Sequence, residues 1–267
     1  MEEKQIKINW KFIKDVGVFK WFFRTAIRQF YKRILRRGLW ILLPNGLPYY
    51  CPPNDQAASE AYVTNGLVDW GAELKMLDFL NPNLVAIDIG ARTGLYSLMM
   101  GKNVSQVIAF EPDPVPFQQL ESYAKKYPWL KPINAAVSNF SGSTTLKIGA
   151  NGFTHIGDRM GKTQVITIDE ISKPYVVGFI KIDIDTFDLD AIEGAYETIK
   201  RDKPVILTEL DSHETERLYS ICADLGYNVS GYFKRKNRKP FWVENISRQE
   251  LDMIEYKMLF LKPKQAD

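Results

Sequence analysis

From Leu84 onward the chain repeats one pattern: a short apolar run, a polar residue or glycine at its carboxyl end, then a stretch with helical spacing. The runs are LVAIDIG (84–90), QVIAFEP (106–112), KPINAAV (131–137), VGFIKIDI (177–184) and PVILTEL (204–210). Helical patterns start from Gly94 and span 114–126, 188–200 and 214–226. Near-continuous apolar runs belong to strands covered on both faces, and strands alternating with helices build a parallel sheet. The tail segments NVSGYF, KPFWVE and KMLFLK read as closing antiparallel strands, and Gly-rich residues 140–176 as an inserted hairpin or flap.

Before the sheet lies a different region. Residues 1–37 hold eleven basic and three acidic side chains although the whole chain carries only +3, so the remainder is net acidic. Lys20, Arg24, Arg28, Lys32 and Arg36 recur every four residues, while Phe19, Phe23, Ala26, Ile27, Phe30 and Ile34 fill a separate arc, as in an amphipathic helix. Three roles stay open. The helix docks its apolar arc on the main domain and solvates its cations; residues 17–37 rest on an anionic membrane; or the cations hold an anionic substrate. Nucleic acid is not expected, because a basic stripe without a recognition module is weak evidence for it. LWILL and LPYYC flank Pro44-Asn45-Gly46 as a hairpin, followed by helical stretches near 56–65 and 71–80. The division expected is an extension over 1–80 and a main domain over 81–267.

Composition narrows the class. Two cysteines, Cys51 and Cys222, cannot form a disulfide framework. An acidic start without an apolar run does not read as a secretory signal, and no stretch approaches the ~20 apolar residues that span a bilayer. The expectation is a cytoplasmic protein.

Chemistry is carried by acids at strand ends. Asp88, Glu111, Asp183 and Glu209 each fall at or near the carboxyl end of a central strand, the edge where open α/β sheets bind ligands. Glycines in Asp88-Ile89-Gly90-Ala91-Arg92-Thr93-Gly94 permit a sharp turn and close approach of a ligand to the main chain. Glu111, ending the next strand, suits both hydroxyls of a ribose. A nucleoside therefore fits. The Gly90-xxx-Gly94 spacing departs from GxGxxG and disfavours NAD.

The segments AIDIGARTGLYSL, VIAFEPDPVPF, INAAVSNFSGSTTL, VITIDEI, FIKIDIDTFDLDAIEGA and PVILTEL, in this order, resemble the FkbM-type S-adenosylmethionine-dependent methyltransferases over roughly residues 40–262. That resemblance implies a class I methyltransferase (Rossmann-like) fold with a seven-stranded, mostly parallel sheet and helices on both faces, preceded by an N-terminal helical and hairpin extension. It also implies methyl transfer from S-adenosyl-L-methionine to a hydroxyl of a sugar, glycan or related small molecule. Carried over by motif, Asp88, Gly90, Ala91 and Gly94 would line the methionine end of the cofactor and Glu111 its ribose, with Arg92, in the same turn, a further cofactor-site candidate. Asp113 and Asn134-Ala135-Ala136 would border the adenine, and Asp183 would face the sulfonium and the acceptor. Two departures stand out: Arg92 replaces the usual Asn, and Asp185-Thr186 replaces the usual Glu-Gly. Arg is less at ease than Asn in a left-handed backbone, so the expectation is either a reshaped loop or an Arg92 that reaches an anionic group on the acceptor.

Methyl transfer from a sulfonium asks the protein to align the acceptor oxygen and to accept its proton. Asp183 is the first candidate base, with His213 and His155 as rivals. A less favoured mechanism places Mg²⁺ on Asp183, Asp185 and Glu209. Asp188 and Asp190 read as first-turn acids favoured by the helix dipole. A scaffold protein that has lost catalysis and a nucleotide-dependent oxidoreductase remain as alternatives; the acceptor's identity and the oligomeric state are beyond the sequence.

Overall fold

The computed structural model describes residues 12–148, 154–156, 161–210, 214–234 and 239–264. Two compact units form, Met1–Val68 and Asp69–Asp267. The boundary precedes the expected 80/81, because residues 69–80 pack on the second unit. There Tyr96 Oη donates to Asp69 Oδ2 at 2.8 Å, and the Phe79 ring lies 5.4 Å from that of Phe260.

In the first unit, strands β1 (Leu39–Leu42) and β2 (Pro48–Cys51) pair antiparallel with Trp40 opposite Tyr50. Asn45 Oδ1 accepts from Leu47 N at 3.1 Å, so the asparagine side chain holds the turn. The helix Gln56–Thr64 follows, capped by Asp55, which accepts from Ala58 N at 2.7 Å. The basic helix spans Val18–Phe30 and continues as a π-helical turn over Tyr31–Leu35.

Within the first unit this helix turns part of its basic face inward. Trp21 and Arg28 are buried and Arg24 and Thr25 half-buried, while Phe19, Phe22, Phe23, Ala26 and Phe30 are exposed. Hydrogen bonding explains this orientation. Arg28 donates to Cys51 O at 2.8 Å, to Pro52 O and to Ser59 Oγ; Arg24 donates to Tyr62 O. Each long side chain carries its charge to carbonyls that need donors, which a phenylalanine could not satisfy.

The second unit is built on strands β3 (Val85–Ile89), β4 (Gln106–Phe110), β5 (Leu130–Ile133), β6 (Ala136–Val137), β7 (Gly142–Ile148), β8 (Thr154–Ile156), β9 (Lys162–Ile166), β10 (Val177–Ile182), β11 (Val205–Glu209), β12 (Tyr227–Lys234), β13 (Phe241–Val243) and β14 (Glu255–Pro263). The central sheet runs β13-β12-β14-β11-β10-β3-β4-β5. Strands β5, β4, β3, β10 and β11 are parallel, and β14 runs antiparallel between β11 and β12. Among the described residues this sheet has eight strands where seven were expected, because the short β13 joins the edge at β12. All five residues of β3 are buried, as its unbroken apolar run requires.

Among the described residues of 140–176, β7, β8 and β9 form a small sheet in which β9 pairs parallel with β6. The helix expected over 188–200 is split into Asp188–Glu193 and Tyr196–Asp202. At the break, a Cβ on Gly194 would lie 2.1 Å from Ser138 O, so the chain there touches the β6 exit backbone to backbone. Strand order reverses between β3 and β10, which leaves a crevice at their carboxyl ends.

Candidate cofactor and catalytic site

The loops after β3 and β10 meet at this crevice. Gly90 has φ +74°, and a Cβ there would lie 2.1 Å from Asp183 O and 2.8 Å from Ile184 Cγ2. Only a glycine lets the two loops touch. Arg92 and Gly94 also adopt positive φ, 50° and 87°. The turn therefore keeps its left-handed step although arginine occupies it, at a cost of roughly 1–2 kcal/mol. Asp185, the other departure, likewise has φ 59° and is exposed. Both atypical residues hold strained backbone on the two loops that flank the crevice.

Glu111 closes β4 and is almost fully buried. Its Oε2 accepts from Arg92 N at 2.8 Å and its Oε1 from Asp113 N at 2.7 Å. Each oxygen thus uses one acceptor position and keeps another, which is the donor-free pair a vicinal diol requires. Burial pushes this carboxyl from 4.5 up to about 7, against the pull of the Asp113 and Arg92 amides. Asp113 caps the helix Pro114–Ala124 by accepting from Val115 N at 2.9 Å. Asn134 donates to Glu111 O at 2.8 Å and to Pro112 O at 3.1 Å, tying the exits of β4 and β5 together beside buried Ala135 and half-buried Ala136. Ala91 is buried, and its amide donates to Phe110 O at 2.9 Å.

On β3 and β10, Asp88 stands in register with Lys181, and Asp183 follows two residues later on the same face. Lys181 was not singled out from the sequence. Its Nζ lies 3.5 Å from Asp88 Oδ1, 3.2 Å from Asp183 Oδ2 and 3.3 Å from Gly90 O, and 5.0 Å above the Tyr96 ring. Burial works against its charge, but Asp183 and Asp88 outweigh that penalty and hold the ammonium above its ordinary range. Asp88 is fully buried, with Oδ2 accepting from Ser97 Oγ at 2.5 Å and Oδ1 lacking a hydrogen bond. Its burial raises the carboxyl, and Lys181 and Ser97 offset this in part. The legible signal was a lysine flanked by Ile180 and Ile182 in an otherwise apolar run. Such a residue is buried only when paired.

Asp183 retains 39% side-chain exposure at the mouth, whereas its partner Lys181 retains 2%. Asp188 opens the first turn of the helix Asp188–Glu193, as expected, and is wholly buried there: Oδ1 accepts from Thr208 Oγ1 at 2.9 Å and Oδ2 from Ile184 N at 3.3 Å. Burial and the nearby Asp183 raise it to about 8. Asp190 does lie on the surface side, paired with Arg217 at 2.6 Å.

Among the described residues no three His, Cys, Asp or Glu side chains converge as a metal site, so the set Asp183, Asp185 and Glu209 is not brought together as Mg²⁺ would need. Glu209 ends β11 and is exposed. His155 falls on β8 of the small sheet, in register with Lys147. His213 lies outside the described residues.

A glycine turn, a two-acceptor carboxylate on the next strand and an acid at the reversal of strand order define the class I S-adenosylmethionine-dependent methyltransferase fold. The Methyltransferase FkbM domain profile matches residues 88–229, and the chain belongs to that family. A methyltransferase FkbM of Methylobacillus flagellatus KT is similar in structure: TM-score 0.51, 15% identity, covering 76% of this chain and 52% of that one. The chain thus spans about half the length of that relative. A putative rRNA-methylase from Clostridium thermocellum gives TM-score 0.45 at 8% identity, covering 73% of this chain and 95% of the other. A putative methyltransferase from Streptococcus mutans, crystallised in complex with SAH, gives TM-score 0.42 at 8% identity, covering 72% and 94%. No curated protein matches the chain. Among the described residues no helix is long and apolar enough to cross a membrane.

Proposed function

We propose that the protein is an O-methyltransferase that acts on a hydroxyl of a sugar, glycan or related small molecule, with Asp183 as the general base. The observation that carries this reading is the half-exposed Asp183 carboxylate held at the strand reversal by the buried ammonium of Lys181. When bound, S-adenosylmethionine supplies a methyl group already activated on sulfonium. The residues present suit it: Glu111 offers two acceptor positions for the ribose diol, and the Gly90 turn sets the loop after β3 directly against the loop after β10 at the crevice.

Each residue then has a physical task. Lys181 fixes the Asp183 carboxylate on the crevice side of β10. Asp183, reachable from solvent, receives the acceptor hydroxyl's proton on an Oδ atom. Asp88, locked by Ser97 and Lys181, holds Lys181 centred rather than meeting the acceptor. His155 and His213 remain rivals for the base.

Asp183→Asn keeps shape and removes basicity. We expect S-adenosylmethionine to bind it as tightly as the parent by calorimetry, while turnover on a responsive acceptor falls about 10²–10⁴-fold. Unchanged turnover assigns the base elsewhere. Tight cofactor binding by the parent without methyl transfer to any member of a glycan panel favours the scaffold reading, for which the strained Arg92 and Asp185 are the specific observation.

A further inference from the structure

We infer that the outward face of the helix Val18–Phe30 and the turn after it is a docking surface for an anionic lipid bilayer. Three observations converge. The exposed positions Phe19, Phe22, Phe23, Ala26 and Phe30 recur at helical spacing, so one face of the helix presents four aromatic rings to solvent. Phe19 alone is 92% exposed, and Val18, Ile34 and Leu35 extend the patch at either end. Isolated exposed apolar residues need no explanation, but a contiguous face of this kind does.

The patch is held outward by construction. Turning it inward would strip Arg28 from Cys51 O, Pro52 O and Ser59 Oγ, and Arg24 from Tyr62 O, leaving buried carbonyls unpaired. The helix therefore cannot relieve its exposed rings by rotation.

Charge selects the occupant. The exposed charged residues from Lys14 to Arg37 are Lys14, Lys20, Arg33, Arg36 and Arg37 against the single carboxylate Asp15. A second copy of this face would bring those cations against each other, whereas anionic headgroups complement them while the rings enter the acyl boundary. A helix lying in the interface in this way needs no membrane-spanning length. Such a contact would hold the enzyme beside acceptors at a lipid surface, independently of which acceptor the site takes.

Flotation of the intact protein with vesicles tests this. With phosphatidylcholine plus phosphatidylserine the protein should rise with the lipid, less so as salt is added, and with phosphatidylcholine alone it should stay below. Phe19→Ser with Phe23→Ser should abolish flotation, and Arg36→Gln with Arg37→Gln should weaken it roughly fivefold for each charge removed. These positions are exposed, so unaltered circular dichroism and unaltered S-adenosylmethionine affinity will show that the fold is intact. No flotation by the parent, flotation equal on neutral and anionic vesicles, or flotation undiminished in the serine variant overturns the inference. So does a concentration-dependent dimer, read by sedimentation, that the serine variant abolishes while vesicles bind neither protein.

Discussion

Glu111 shows how much one side chain decides. Its folded-state value is raised from 4.5 to about 7, so the ionised form that accepts two hydroxyls dominates only above that pH. Donor affinity should therefore rise as pH climbs through about 7, measured by calorimetric titration, and Glu111→Gln should bind weakly with a flat profile. Stability of the free protein moves the other way. A carboxyl whose folded value lies above its unfolded value binds more protons when folded, so its contribution is present below 4.5 and is lost as pH rises towards 7. Melting temperature followed over that window should fall less steeply in Glu111→Gln. At Gly90 an alanine would meet Asp183 O at 2.1 Å while holding a positive φ. Gly90→Ala should lose cofactor binding and about 2–4 kcal/mol of stability, read by urea denaturation. Arg92→Asn, by contrast, relieves a left-handed arginine and should gain about 0.5–1 kcal/mol in the same assay.

At the scale of elements, the apolar runs named the central strands correctly because a strand buried on both faces leaves little room for any other composition. Helices were less legible. The stretch read as 188–200 breaks at Gly194, where contact with the Ser138 carbonyl, far away in sequence, overrides local propensity. The basic helix was recognised by its period, yet period alone does not say which face turns inward. Here two arginines won that position through carbonyls on the hairpin exit and on the helix Gln56–Thr64. Arg28→Met should thus destabilise the first unit by about 1.5–3 kcal/mol despite its greater hydrophobicity, seen as earlier loss of helical signal on heating.

For the whole molecule, all the described residues proposed to hold the cofactor lie within the unit Asp69–Asp267, so a chain trimmed to 69–267 should bind S-adenosylmethionine with the parent's affinity. The order of the acids along the chain, the glycine turn and the family segments were all present in the sequence, since strand-end placement follows from where each apolar run stops. They determined the fold class and the candidate cofactor residues Asp88, Gly90 and Glu111. What the sequence could not supply was contact between distant residues. The in-register pairing of β3 with β10 brings Lys181 between Asp88 and Asp183, and among the described residues Asp183, Asp185 and Glu209 form no metal-binding cluster. Folding of the first unit turns phenylalanines out and arginines in, with Arg28 and Arg24 donating to the carbonyls of Cys51, Pro52 and Tyr62, residues far from them in sequence.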